Sequence, residues 1–109
     1  MAYVDVIPNA MTPIVGASQA ISATGSSSSI TLSTGGTQIR VYNAGTAIAY
    51  VRWGSGAQTA LVTSVGTPGD LPLFPGAVEV FNKQFSDNTF AAVTGGTACT
   101  LYVTVGNGL

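Results

Sequence analysis

Histidine is absent from this chain, cysteine occurs once, and only seven of the 109 residues are charged, three basic and four acidic. Without histidine, the usual base that activates a serine, threonine or cysteine nucleophile is missing. A Ser-Lys arrangement would have to be built on Lys83, and nothing beside Lys83 follows the Ser-x-x-Lys pattern. The carboxylates Asp5, Asp70, Glu79 and Asp87 lie far apart in sequence, unlike the closely set ligands of an EF-hand loop. Asp70 and Asp87 stand beside turn residues, where an aspartate side chain commonly bonds nearby backbone. The glycine-rich turns lack the helix and lysine of a phosphate loop. These absences lead to the expectation of a non-enzymatic protein with no catalytic residues, no cofactor and no metal site.

Other shortages exclude other classes. Arg40, Arg52 and Lys83 are too few to build the positive stripe that nucleic-acid binding needs. No run approaches the roughly 20 apolar residues of a membrane-crossing helix, and Met1-Ala2-Tyr3-Val4-Asp5 lacks the basic opening of a secretory signal. Neither nucleic acid nor membrane is therefore an expected partner. Cys99 has no second cysteine to pair with, which suits synthesis in a reducing cytosol. It falls on the apolar side of its segment and reads as a buried, inert thiol.

What is present is hydrophobic and uncharged. Apolar residues make up 46% of the chain and charged ones 6%, against roughly 25% charged in an ordinary soluble domain. Serine and threonine fill 24 positions and glycine 14, so the polar surface is made of hydroxyls and backbone. That balance excludes disorder, fits one domain, and favours association because little charge holds copies apart.

The alternation along the chain is that of short strands. Thr34-Gly35-Gly36-Thr37 and Thr94-Gly95-Gly96-Thr97 read as two-residue hairpin turns, since a type I′ turn needs positive φ at both centres. Paired outward from Gly35-Gly36, Leu32 meets Ile39 and Ile30 meets Val41. Paired outward from Gly95-Gly96, Ala92 meets Cys99 and Phe90 meets Leu101. A three-residue loop at Asn43-Ala44-Gly45, with Gly45 left-handed, would pair Val41 with Ala47 and Ile39 with Ala49. The predicted core face is then Ile30, Leu32, Ile39, Val41, Ala47, Ala49, Val51 and Trp53. Further strands are expected at 18–24, 59–65 and 77–82, with the serine run 26–29 as a loop. No window carries a helical apolar stripe. The fold class is accordingly all-β: an antiparallel β-sandwich or small barrel of meander or Greek-key type, with a jelly-roll-like order also open.

Residues 1–16 differ from the sandwich expected over 17–109. Pro8 and Pro13 interrupt an apolar stretch containing Tyr3, Val4, Ile7, Met11 and Ile14, so this segment reads either as a strap on its own domain or as an extended arm lying on a neighbouring subunit. Opposite the predicted core face, Arg40, Tyr42, Ile48, Tyr50 and Arg52 fall on one sheet surface. Tyrosine and arginine are the residue types of interface hot spots, and the same pairs also stabilise an exposed sheet. The arm residues and Arg40, Tyr42, Tyr50 and Arg52 form the candidate interface.

The series Arg40-Val41-Tyr42-Asn43-Ala44-Gly45, Ala49-Tyr50-Val51-Arg52-Trp53-Gly54, Pro75-Gly76-Ala77-Val78-Glu79-Val80-Phe81 and Leu101-Tyr102-Val103-Thr104, closing on Gly108-Leu109, resembles small structural proteins of tailed-phage particles. That resemblance covers roughly residues 37–109. It implies a capsid decoration or cement protein, made in the host cytoplasm and placed on the outer capsid surface. Its partners would be the major capsid protein and further copies of itself, as a dimer or trimer. A low-copy tail, neck or head-fibre component is the alternative within a virion. A carbohydrate-binding module, with Tyr42, Tyr50 and Trp53 stacking on a glycan, is the alternative outside it.

Overall fold

The computed structural model describes residues 11–33 and 35–108. Eight strands lie among them: β1 (Thr12–Ala23), β2 (Ser28–Thr31), β3 (Gln38–Asn43), β4 (Ala49–Gly54), β5 (Leu71–Leu73), β6 (Val78–Asn82), β7 (Thr89–Thr94) and β8 (Cys99–Asn107). They form two four-stranded antiparallel sheets, ordered β1-β8-β3-β6 and β2-β7-β4-β5. The protein is an all-β sandwich.

The order has a simple origin. β1 pairs with β8, β2 with β7, β3 with β6 and β4 with β5, as in one long ribbon whose tip is the loop between β4 and β5. Rolling that ribbon brings β8 against β3 and β7 against β4, which is a jelly roll. The meander of three local hairpins does not form. β2 and β3, β3 and β4, and β7 and β8 each lie in different sheets, so all three predicted turns carry the chain across the sandwich.

The glycines at those corners have separate reasons. Gly35 and Gly36 do adopt positive φ, 85° and 80°, and a Cβ on Gly36 would run into Val105 and lie 2.9 Å from the Gly106 carbonyl oxygen. Gly45 is not left-handed as expected. It is glycine because a Cβ there would collide with Cys99.

The predicted faces are right where the predicted partners are not, except that Ala47 is half-buried in the turn before β4 and lies outside the core. Leu32, Ile39, Val41, Ala49 and Val51 are buried together with Phe90, Ala92, Cys99, Leu101, Val103 and Val105, while Ile30 and Trp53 pack partly buried against them. Trp53 of one sheet packs against Phe81 of the other with the ring centroids 4.9 Å apart and the planes tilted by 31°. Each fully buried Val, Leu, Ile or Phe in this core contributes about 1.5–3 kcal/mol through its burial.

Asn43 ties the corners together. It is fully buried, its Nδ2 donates to the carbonyls of Ala47 and Leu73, and its Oδ1 accepts from Gly45 N–H. Its backbone N–H donates to Ala77 O and its carbonyl accepts from Gly76 N–H. One side chain thus links β3 to β5 in the opposite sheet, with every polar group partnered, as a buried amide requires.

Three expectations need correction. Residues 59–65 form no strand. They belong to the β4–β5 loop, which contains one isolated bridge, Ser64 to Thr67. Their alternation arises because Ala60 and Val62 pack on Tyr50, Ala91 and Val93, on the outside of the β2-β7-β4-β5 sheet. The serine run is only in part a loop, since Ser28 and Ser29 open β2. β1 is longer than 18–24 and includes Thr12–Gly16. Its ladder with β8 is interrupted between Pro13 and Ser18, a bulge on an edge strand, where proline is tolerated.

Candidate interaction face

The outer side of the β1-β8-β3-β6 sheet is assembled from residues that alternate with the core. Register sets Ala20, Tyr102, Tyr42 and Val78 in one row across the four strands, and Ser18, Thr104, Arg40 and Val80 in the next. Tyr42 and Tyr102 stack with their centroids 6.3 Å apart and their planes inclined by 17°, an offset arrangement worth about 0.5–1.5 kcal/mol. Ser18 and Thr104 share a hydrogen bond of 2.7 Å between their hydroxyls. Tyr102 is 48% exposed, Val78 46%, Val80 39% and Tyr42 38%. Arg40 is the one charged side chain in these rows and forms no ion pair among the described residues.

The candidate residues do not all share this face. Arg40 and Tyr42 lie on it, but Tyr50 and Arg52 are on β4, in the other sheet, and point to the opposite side of the sandwich. The single Arg-Tyr surface expected from sequence depended on β3 pairing with β4, and these strands belong to different sheets. Tyr50 is half-buried beneath the β4–β5 loop. Arg52 serves the same loop: its Nη1 donates to Thr59 O at 3.3 Å, and its Nε stands 3.9 Å from Asp70 Oδ1. Asp70 in turn accepts from Leu61 N–H at 2.7 Å through Oδ2.

Met11 is half-buried, with its side chain against the space at Gly106, and Ile14 is half-buried against the core. Tyr3, Val4 and Ile7 lie outside the described residues. Tyr102, Val78 and Val80 were not among the candidates. Their outward alternation is visible in sequence, but joining them to Tyr42 requires knowing that β3 lies between β8 and β6.

Groups with chemical potential are engaged or protonated. Lys83 is buried, and its Nζ donates to the carbonyls of Gln84 and Asp87 at 3.1 and 3.0 Å. Burial lowers its pKa, partly offset by the Asp87 charge. Cys99 is buried and its pKa is raised by the loss of solvent, which keeps the thiol protonated. No three His, Cys, Asp or Glu side chains come together as a metal site among the described residues. A shallow cleft of about 280 Å³ lies at the β4–β5 edge, lined by Arg52, Trp53, Asp70 and Leu71 among others. Tyr42, Tyr50 and Trp53 do not converge on it as one aromatic platform. The chain matches no known protein family, no curated protein and no solved structure.

Proposed function

We propose that this chain is a non-enzymatic virion protein of a tailed phage that binds the outer capsid surface as a decoration or cement protein. The observation that carries the proposal is the Tyr42, Tyr102, Val78 and Val80 face, an open sheet surface of aromatic, aliphatic and hydroxyl groups with one charge. Such a surface gains by being covered, and tyrosine with a neighbouring arginine provides anchors for a partner. The low charge of the whole chain supports dense packing of many copies. Jelly rolls occur in viral capsid and lectin domains alike, so the fold supports the reading by analogy only. Tyr3, Val4 and Ile7 form the second contact in the proposal, while Met11 and Ile14 pack on their own domain.

The test is binding of the purified chain to phage particles assembled without it. Replacing Tyr42→Lys and Tyr102→Lys together lowers the affinity at least about 100-fold, the loss of two hot-spot side chains, while the melting temperature shifts by only a few degrees. Undiminished binding contradicts the assignment of this face. A glycan-binding role draws on the cleft beside Trp53, and saturable quenching of that sole tryptophan by a sugar, with no binding to particles, would favour it instead.

A further inference from the structure

Among the described residues the sandwich has four edge strands, and three of them carry features that limit pairing. β1 carries Pro13 and the interruption that follows it in its first half, and from its second half the Gln19 side chain reaches across to β2. β5 is three residues long with Pro72 at its centre. β2 is four residues long, and the Gln19 side chain donates to its Thr31 carbonyl at 2.6 Å. Short length, proline and bulges are the devices that keep sheet edges from joining.

β6, five residues long, has neither proline nor bulge, and its one charge is Glu79. Val78-Glu79-Val80-Phe81-Asn82 pairs with β3 in unbroken register. The bonds from Asn43 N–H to Ala77 O and from Lys83 N–H to Thr37 O bracket that ladder. Because hydrogen-bonded and non-bonded pairs alternate in antiparallel strands, Ala77, Glu79, Phe81 and Lys83 bond inward to β3. The N–H and C=O groups of Val78, Val80 and Asn82 therefore face the free edge, and no described residue takes them.

We propose that two copies of this chain pair through β6, antiparallel about a two-fold axis at Val80, so that two four-stranded sheets become one continuous sheet. The strand is self-complementary in this register. Val80 faces Val80 of the second copy, and Val78 faces Asn82 at either end, giving three facing pairs that each exchange two hydrogen bonds. Glu79 falls opposite Phe81 of the second copy. Moving the axis to Glu79 would set that carboxylate against its own symmetry mate, a destabilising like-charge pair. Moving it to Phe81 would leave only two bonded pairs. With the axis perpendicular to the sheet, the Tyr42 and Tyr102 faces of both copies look the same way and join into one surface. The pairing names the self-association contact and does not depend on the capsid reading.

Sedimentation of the purified full chain tests it, from about 10 μM to 1 mM, the range in which a modest edge contact is populated. The unmodified chain is expected to reach dimer mass. Val80→Pro removes an N–H that β3 does not use, and Val80→Lys places a charge on the edge; both are expected to stay monomeric with an unchanged far-ultraviolet circular dichroism spectrum. Should the proline variant fail to fold, the lysine variant and amide exchange decide. The amides of Val78, Val80 and Asn82 slow in exchange as concentration rises, while those of Glu79 and Phe81 do not change. A wild-type monomer at 1 mM, a dimer that survives Val80→Lys, or protection that does not depend on concentration overturns the proposal. Particle binding is measured separately, so loss of one reading leaves the other standing.

Discussion

On the outer face of the β2-β7-β4-β5 sheet, Tyr50, Ala91 and Val93 lie under Ala60 and Val62 of the β4–β5 loop, whereas on the other outer face Tyr42, Tyr102, Val78 and Val80 are open to solvent. Both faces alternate with the same core and both carry tyrosine and an arginine. The difference lies in the connection: the loop spanning residues 55–70 is long enough to fold back over its own sheet, held by Arg52 and Asp70. No described connection does this for the β1-β8-β3-β6 sheet. One apolar face is thereby satisfied within the chain, and the other stays open to solvent.

Matched substitutions test that contrast most strongly. Val93→Asp buries a carboxylate beneath the loop and is expected to destabilise the fold by about 3–5 kcal/mol, through an unpaired buried charge. Tyr102→Asp, at an open position, is expected to cost no more than about 1–2 kcal/mol. Chemical denaturation of the two variants compares them directly, and equal losses would abolish the distinction between a covered and an open face.

Asn43→Ala probes what holds the two sheets in common. It removes three side-chain hydrogen bonds and strands backbone partners at Leu73, which is buried, and at Ala47 and Gly45, which are partly so, a loss of about 2–4 kcal/mol. A loss below about 1 kcal/mol in denaturant would show that the corners hold without it. Asp70→Ala sharpens the comparison more locally. It removes the acceptor of Leu61 N–H and the Arg52 partner, is expected to cost about 1 kcal/mol, and should make the 55–70 loop the first site of limited proteolysis. Cleavage elsewhere at the wild-type rate would contradict the role given to Asp70.

The smallest effect is in pH dependence. Burial raises the Cys99 pKa above its ordinary 9.0, so the folded protein holds that proton more tightly than the unfolded chain does. The stability this contributes is complete below 9.0 and is lost as pH rises through the raised folded value. The stability difference between wild type and Cys99→Ala is therefore expected to be constant at neutral pH and to shrink above pH 9. A difference that stays constant or grows would mean that the thiol is not desolvated as the fold implies.

The side on which each residue lies was legible in the sequence, and the strand beside it was not. Leu32, Ile39, Val41, Ala92, Cys99 and Leu101 all point inward as alternation predicts, because a period of two fixes the face whichever strand is adjacent. Gly35-Gly36 has the positive φ of a hairpin turn, yet turning the chain back into the same sheet or across to the opposite one uses similar local conformations. The choice between them rests on pairings such as β1 with β8, made between the two ends of the ribbon, which no local signal announces. The candidate site inherited that error. Arg40 and Tyr42 were placed outward correctly, but Tyr50 and Arg52 were joined to them through a pairing that does not exist, and Tyr102, Val78 and Val80 were left out. The same ambiguity made residues 59–65 resemble a strand, since packing on a sheet face and pairing at a sheet edge both produce alternation.

The central claim is that the open face belongs to the outside of a phage particle, and the most direct measurement is the copy number of this chain relative to the major capsid protein in purified particles, by quantitative mass spectrometry. The account predicts a number comparable with that of the capsid subunits. A handful of copies per particle, or none, would contradict it.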